Sequence, residues 1–163
     1  MPEAFIPGTP ARRAQMEETM SLKQISVFLE NKPGTLKQMT GVLAAENIDM
    51  RALSLAETSE FGIARIIVDD AFAAISVLKE ADFVASLTSV LAVEIPDEAG
   101  GLDKLLQFFA DEKINIEYMY AFLGGKVEKH AYMIFRVEDT ARAEAVLTAR
   151  GLTILTQEDI AEI

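Results

Sequence analysis

Between residues 23 and 30 the apolar side chains Ile25, Val27 and Leu29 fall on alternate positions, with polar residues beside most of them. A period of two is that of a strand with one buried face. The run stops at Asn31-Lys32-Pro33-Gly34, a strong turn signal. From there the period lengthens. Leu36, Met39 and Leu43 recur at i, i+3 and i+7, which predicts a helix that Thr35 caps and Asn47 closes. Residues 48–56 and 63–68 read as strands, joined by the polar Glu57-Thr58-Ser59-Glu60 and Gly62. Asp69 and Asp70 open a second helix through Phe72, Ile75, Val77 and Leu78 to Glu80, and residues 83–87 read as a fourth strand.

The same order then recurs. Residues 26–50 laid over 92–116 without a gap give six identities in 25 positions: Val27/Val93, Gly34/Gly100, Leu36/Leu102, Ala44/Ala110, Glu46/Glu112 and Ile48/Ile114. Apolar character is also kept at Leu29/Ile95, Met39/Leu105, Val42/Phe108, Leu43/Phe109 and Met50/Ile116. The match resumes at Ile67-Val68-Asp69 against Arg136-Val137-Glu138, after a three-residue insertion near 124–130. The second copy therefore predicts strands over 90–95, 116–123, 131–137 and 152–155, and helices over 102–112 and 140–149. A repeat of this length is a duplicated small domain and not a solenoid unit. Only Thr88 and Ser89 separate the copies, too little for a flexible linker, so the two units should be fixed to each other.

Strand, helix, strand, strand, helix, strand is the ferredoxin-like, split βαβ arrangement: α+β, with a four-stranded antiparallel sheet and two helices on one face. One such unit buries little core alone, and its open sheet face and edge strand are natural places for a partner. The expected organisation is an N-terminal arm over 1–21, a first unit over 22–88 and a second over 89–163, with a homodimer of such chains. The arm stands outside the repeat, and Phe5 and Ile6 are its expected anchors.

Composition narrows the chemistry. With no cysteine, disulfides, thiolate metal sites and cysteine nucleophiles are excluded. His130 is the single histidine, so no imidazole cluster forms within one chain. Twenty-six acidic against fifteen basic residues give a net charge of −11, which disfavours nucleic acid and anionic membrane surfaces as partners. Apolar runs fall short of the ~20 residues of a membrane span, and no secretory signal is visible. The expectation is a cytoplasmic protein without metal or cofactor.

Asn31-Lys32-Pro33-Gly34-Thr35-Leu36 joins a strand to a helix N-terminus, where backbone N–H groups and the helix dipole suit a carboxylate. Gly34 permits close approach, Asn31 supplies a donor and an acceptor, and Asp49 beside Ile48 is placed to receive an ammonium group. Such a set would hold a free amino acid by its two charged ends. A well-made strand-to-helix turn without a ligand uses the same residues.

The string Glu30-Asn31-Lys32-Pro33-Gly34-Thr35-Leu36, followed by Ile48-Asp49-Met50, resembles the signature of the ACT domain, a βαββαβ regulatory module that binds amino acids, often between two modules. The resemblance covers residues 22–160, is supported by 51–65 and 115–122, and is nearest to small bacterial proteins made of two ACT domains. It implies a ligand contact for Asn31, which stands where serine-binding ACT domains of phosphoglycerate dehydrogenase carry a ligand-binding asparagine. A second asparagine of that family falls at Asp49 in the first copy and at Asn115 in the second. The second copy departs from the pattern in Pro96-Asp97-Glu98-Ala99-Gly100-Gly101 before Leu102, where Asp97 would repel a ligand carboxylate. The resemblance thus implies two unequal sites, the first better formed and completed by Tyr118 or Tyr120 across the domain interface.

Tyr118, Tyr120 and Phe122 share one strand face, which suits a buried interface as well as a pocket. Asp69-Asp70 and Glu138-Asp139 are explained by helix capping. The reading that follows is a non-catalytic amino-acid-binding regulatory protein acting on a separate metabolic enzyme. The alternative is an assembly module with no small ligand. RNA binding is opposed by the acidity and by the lack of a central-strand aromatic motif. For an enzyme, no nucleophile–base set can be named.

Overall fold

The computed structural model describes residues 21–122 and 129–163. The N-terminal arm with Phe5 and Ile6, Leu123 and most of the insertion near 124–130 lie outside them. The first unit runs β1 (Leu22–Glu30), α1 (Thr35–Ala45), β2 (Met50–Glu57), β3 (Phe61–Val68) and α2 (Ala71–Glu80) into β4 (Val84–Pro96). The second runs from β4 through α3 (Gly101–Asp111), β5 (Ile116–Ala121), β6 (His130–Val137), α4 (Thr140–Ala149) and β7 (Ile154–Leu155) to a closing helix α5 (Gln157–Glu162). The strand order is β2-β3-β1-β4-β6-β5, with β7 also paired to β4, and these pairings are all antiparallel.

The alternating pattern places Ile25, Val27 and Leu29 of β1 against Met39 and Leu43 of α1 and Leu78 of α2. Their repeat equivalents Val93 and Ile95 pack with Leu105 and Phe109 of α3 and Leu147 of α4. The turns repeat too: Gly34 and Gly100 have φ of 87° and 84°, and Asn47 and Lys113 both have φ of 55°.

Where Thr88 and Ser89 read as a break, β4 is continuous. Its first half pairs with β1 as far as Val90, and from Leu91 it pairs with β6. One thirteen-residue strand thus belongs to both units, because Thr88 and Ser89 keep their ladder partners Gln24 and Lys23. The helix-free faces of the two half-sheets then meet in a separate core of Leu22, Ala52, Ile67, Val90, Ala92, Phe122, Tyr132 and Ile134, closed by Ile160 of α5.

α5 was not expected from the hydrophobic period. It begins at a capping box: the Asp159 amide donates to Thr156 Oγ1 at 3.2 Å, and the Thr156 amide donates to Asp159 Oδ2 at 2.7 Å. Gln157 donates to the Val68 carbonyl at 3.0 Å, and Arg51 to the Ala161 carbonyl at 3.3 Å, so the second unit's tail is laced onto the first. Among the described residues no helix is long and apolar enough to cross a membrane.

Candidate functional site

β1 ends at Glu30, and the chain reverses through 31–34 into α1. Asn31 pins this turn to the β2–β3 connection: its amide donates to the Glu60 carbonyl at 3.0 Å and its side-chain nitrogen to the Thr58 carbonyl at 3.3 Å. Lys32 pairs with Glu30. The N-cap is Gly34, in the left-handed region, and not Thr35, whose hydroxyl turns back to the Lys32 carbonyl at 3.2 Å and is buried. A glycine cap offers no side-chain acceptor, and the first turn of α1 holds no acidic residue. The N–H groups of Leu36 and Lys37 therefore have neither a side-chain cap nor an intrahelical acceptor.

The contrast with the other long helices is chemical. α2 and α4 are capped by their own carboxylates: Asp70 accepts from the Ala73 amide and Asp139 from the Arg142 amide, each at 2.9 Å. α3 starts on Gly100 without a side-chain cap, but carries Asp103 in its first turn, with Glu98 paired to Lys104 at 3.4 Å. There Gly101 is obligatory, because a Cβ would stand 2.4 Å from the Pro96 carbonyl oxygen. The Gly100-Gly101-Leu102 turn is thus a tight turn with acid around it, the poorer place for a carboxylate.

Two clefts flank the first turn. One of about 200 Å³ is lined by Leu29, Glu30, Asn31, Lys32, Leu36, Leu55, Glu57 and Gly62. The other, about 390 Å³, shares Leu29, Glu30 and Lys32 and adds Thr35 and Gln38, with Phe28, Phe61 and Phe83 giving it an aromatic wall beside Val84. Pro33 is exposed on the turn itself.

The pairing of Asn31 with Asp49 in one grip is corrected by the register. Met50 pairs with Val68, and Ile66 with Ile25, so Asp49 lies near the level of Lys23 at the far end of the sheet. About eight strand residues, roughly 25 Å, separate it from Asn31. Asp49 is also engaged, with its carboxylate 3.2 Å from Arg51 and its amide donating to Asp69 Oδ1 at 3.2 Å. Ile48 packs partly buried against the first core. Asn115 is exposed just before β5, the equivalent place in the second unit.

Tyr118 and Tyr120 do not reach the turn either. They cross the seam between the half-sheets to the fully buried Gln24: its Nε2 donates to the Tyr118 hydroxyl at 2.8 Å, and the Tyr120 hydroxyl donates to its Oε1 at 2.7 Å. The Arg65 guanidinium stacks 3.9 Å over the Tyr118 ring. Of the two roles open to these tyrosines, the interface one is what the geometry provides. Burial pushes the Tyr120 phenol well above its ordinary range, the neighbouring Tyr118 adds to this, and Arg65 opposes it. A raised acid binds its proton more tightly when folded, so this stabilisation is whole below the unfolded value of about 10 and falls as pH rises above it. The unfolding free energy above pH 10 should fall by up to about 1.4 kcal/mol per pH unit from this group. Tyr120→Phe should show a correspondingly shallower alkaline decline; identical slopes would contradict the assignment.

Sequence reasoning found the turn but not Leu29, Leu55, Glu57 and Gly62 as its surroundings. A glycine inside a strand signals a close approach, and Gly62 is such a residue.

A family model described as an ACT domain pair matches residues 20–163. The crystal structure of protein BT0572 from Bacteroides thetaiotaomicron is 38% identical, with a TM-score of 0.82 over 88% of this chain and 98% of that one. The ligand-free regulatory subunit of aspartate kinase from Thermus thermophilus is similar in fold, at 21% identity and a TM-score of 0.61 over 81% and 92% of the two chains. The corresponding subunit from Thermus flavus aligns at 19% identity with a TM-score of 0.58, over 80% and 90%. No curated protein sequence matches. Motif, tandem topology and family model agree: this chain belongs to the ACT domain pair family.

Proposed function

We propose that the chain is a non-catalytic regulatory protein that binds a free amino acid at the β1–α1 turn of its first unit. The observation that carries this is the uncapped, acid-free start of α1 opening onto a cleft with carboxylates on its rim. The uncapped N–H groups of the first helical turn receive the ligand carboxylate, with Asn31 beside them. Glu57, which joins no ion pair among the described residues, receives the ammonium group. This moves the ammonium role from Asp49 to a residue at the correct end of the sheet. The similarity to regulatory subunits of aspartate kinase supports a role in which a ligand changes an arrangement and not a covalent bond. Both clefts are open, and Phe28, Phe61 and Val84 stand exposed beside the turn, which favours a homodimer. A ligand that prefers the closed arrangement shifts the population toward it, and a separate metabolic enzyme reads the change in the cytoplasm.

The test is a thermal-shift screen of the protein against the twenty amino acids, with oligomer size followed in parallel. A ligand at 100 times its dissociation constant contributes about 2.7 kcal/mol, which raises the midpoint by roughly 5–10 °C for a chain of this size. Asn31→Asp places a negative charge where the second unit already has Asp97. It should weaken binding at least tenfold, on the order of a lost charge-assisted hydrogen bond. No midpoint shift with any amino acid at millimolar concentration would sink the reading and leave the assembly module.

A further inference from the structure

We infer that the smaller cleft selects the ligand's side chain, taking amino acids with an aliphatic side chain of leucine size, and that Gly62 and Leu55 set that size. This rests on the proposed ligand site at the β1–α1 turn. The apolar part of the cleft is built from Leu29, Leu36 and Leu55, with no aromatic residue, in a volume of about 200 Å³. The aromatic residues line the other, larger cleft. A ligand whose charged ends sit at the turn and Glu57 has its third substituent directed along these three leucines. Glu30 is paired with Lys32 and Glu57 is taken up by the ligand ammonium, so the cleft offers a second carboxylate no unpaired cation and aspartate and glutamate bind less well. Leu55 lies on the edge strand β2 and is half-exposed, so its side chain forms a wall with solvent behind it.

Gly62 is the point at which the cleft can be narrowed without displacing the backbone. Its φ lies outside the left-handed region, and a Cβ built there meets Leu55 Cδ1 at 3.4 Å, the Ala56 carbonyl oxygen at 3.6 Å and the Leu29 carbonyl oxygen at 3.9 Å. These are ordinary contacts, so Gly62→Ala fills cleft volume while the strand stays intact. A mismatch of one methylene in an apolar pocket changes affinity by about 10–200-fold.

Isothermal titration of the full chain with L-leucine, L-isoleucine, L-valine, L-alanine, L-phenylalanine, L-aspartate and L-arginine tests this, on the parent, Gly62→Ala and Leu55→Ala. The parent should prefer leucine or isoleucine. Gly62→Ala should lose leucine affinity at least tenfold and shift preference toward valine or alanine, with a ligand-free melting midpoint at or slightly above the parent's. Leu55→Ala should narrow the gap between leucine and phenylalanine. A parent that binds a charged or aromatic amino acid best, or a ranking that Gly62→Ala leaves unmoved, overturns the assignment of the cleft while the amino-acid-binding reading stands. Absence of binding by all seven overturns the assignment of the cleft, and absence of a shift with all twenty in the thermal screen overturns both.

Discussion

Phe135→Ala should lower the unfolding free energy by about 4 kcal/mol, within the ~3–5 kcal/mol typical of a buried phenylalanine cut to alanine. Phe135 has no exposed surface, and its ring lies 4.9 Å from that of Phe109, centroid to centroid, in the middle of the second unit's core. The loss combines the transfer free energy of the ring with the cavity left between β6 and α3. For a chain of this length it corresponds to a fall in the melting midpoint of roughly 10–15 °C. The shape of the transition is as informative as its position. Phe135 is opposite Leu91 on β4, and β4 also carries the ladder of the first unit through Val90. A lesion in the second core should therefore lower one common transition, followed by calorimetry or by chemical denaturation. Two separated transitions, with the first unit melting at its parent midpoint, would show that the shared strand does not couple the units.

How far the sequence told this depended on what each feature requires. Strand and helix positions came from hydrophobic period, because each unit has one buried face and the period records which side chains reach it. The duplicated unit was legible because Gly34/Gly100 and Met39/Leu105 hold the same turn and the same buried positions in both copies. Two features failed for identifiable reasons. Thr88 and Ser89 look like a break, yet a strand can hand over from one partner to another at polar residues, since the ladder is a backbone property. The closing helix has six residues, too few for a period, and its sign was the Thr156–Asp159 capping box alone.

The turn at Asn31–Leu36 was legible as a helix start, which the structure shows to be without a side-chain cap. Its surroundings were not, since Leu55, Glu57 and Gly62 reach the cleft only through the β2–β3–β1 register. Asp49 was misplaced for a topological reason. A strand that follows a crossover helix starts level with the beginning of the previous strand, so Asp49 and the Asn31 turn are held at opposite ends. The motif named the residue types; the βαβ connection decided which of them could meet.

The seam between the units provides the second large effect. Gln24→Leu should destabilise the protein by about 3–5 kcal/mol, although it replaces a fully buried polar side chain with an apolar one. The reason is what it leaves behind. Gln24 satisfies the hydroxyls of both Tyr118 and Tyr120 from one amide and also donates to Ser26 Oγ at 3.1 Å. Each buried polar group that loses its partner costs about 1–3 kcal/mol, whereas removing both members of a pair is nearly neutral. The double variant Gln24→Leu with Tyr120→Phe should therefore lose less than the sum of its single variants, with a coupling of about 1–2 kcal/mol measured by chemical denaturation. Additive losses would mean that the two side chains do not depend on each other in the folded state. The coupling also separates a seam from a pocket. Tyrosines held by Gln24 fix how the half-sheets face each other, so the single variants should change stability and leave any amino-acid affinity measured for the proposed β1–α1 site nearly unchanged. A tenfold loss of ligand affinity in Tyr120→Phe, at unchanged stability, would return Tyr120 to the ligand.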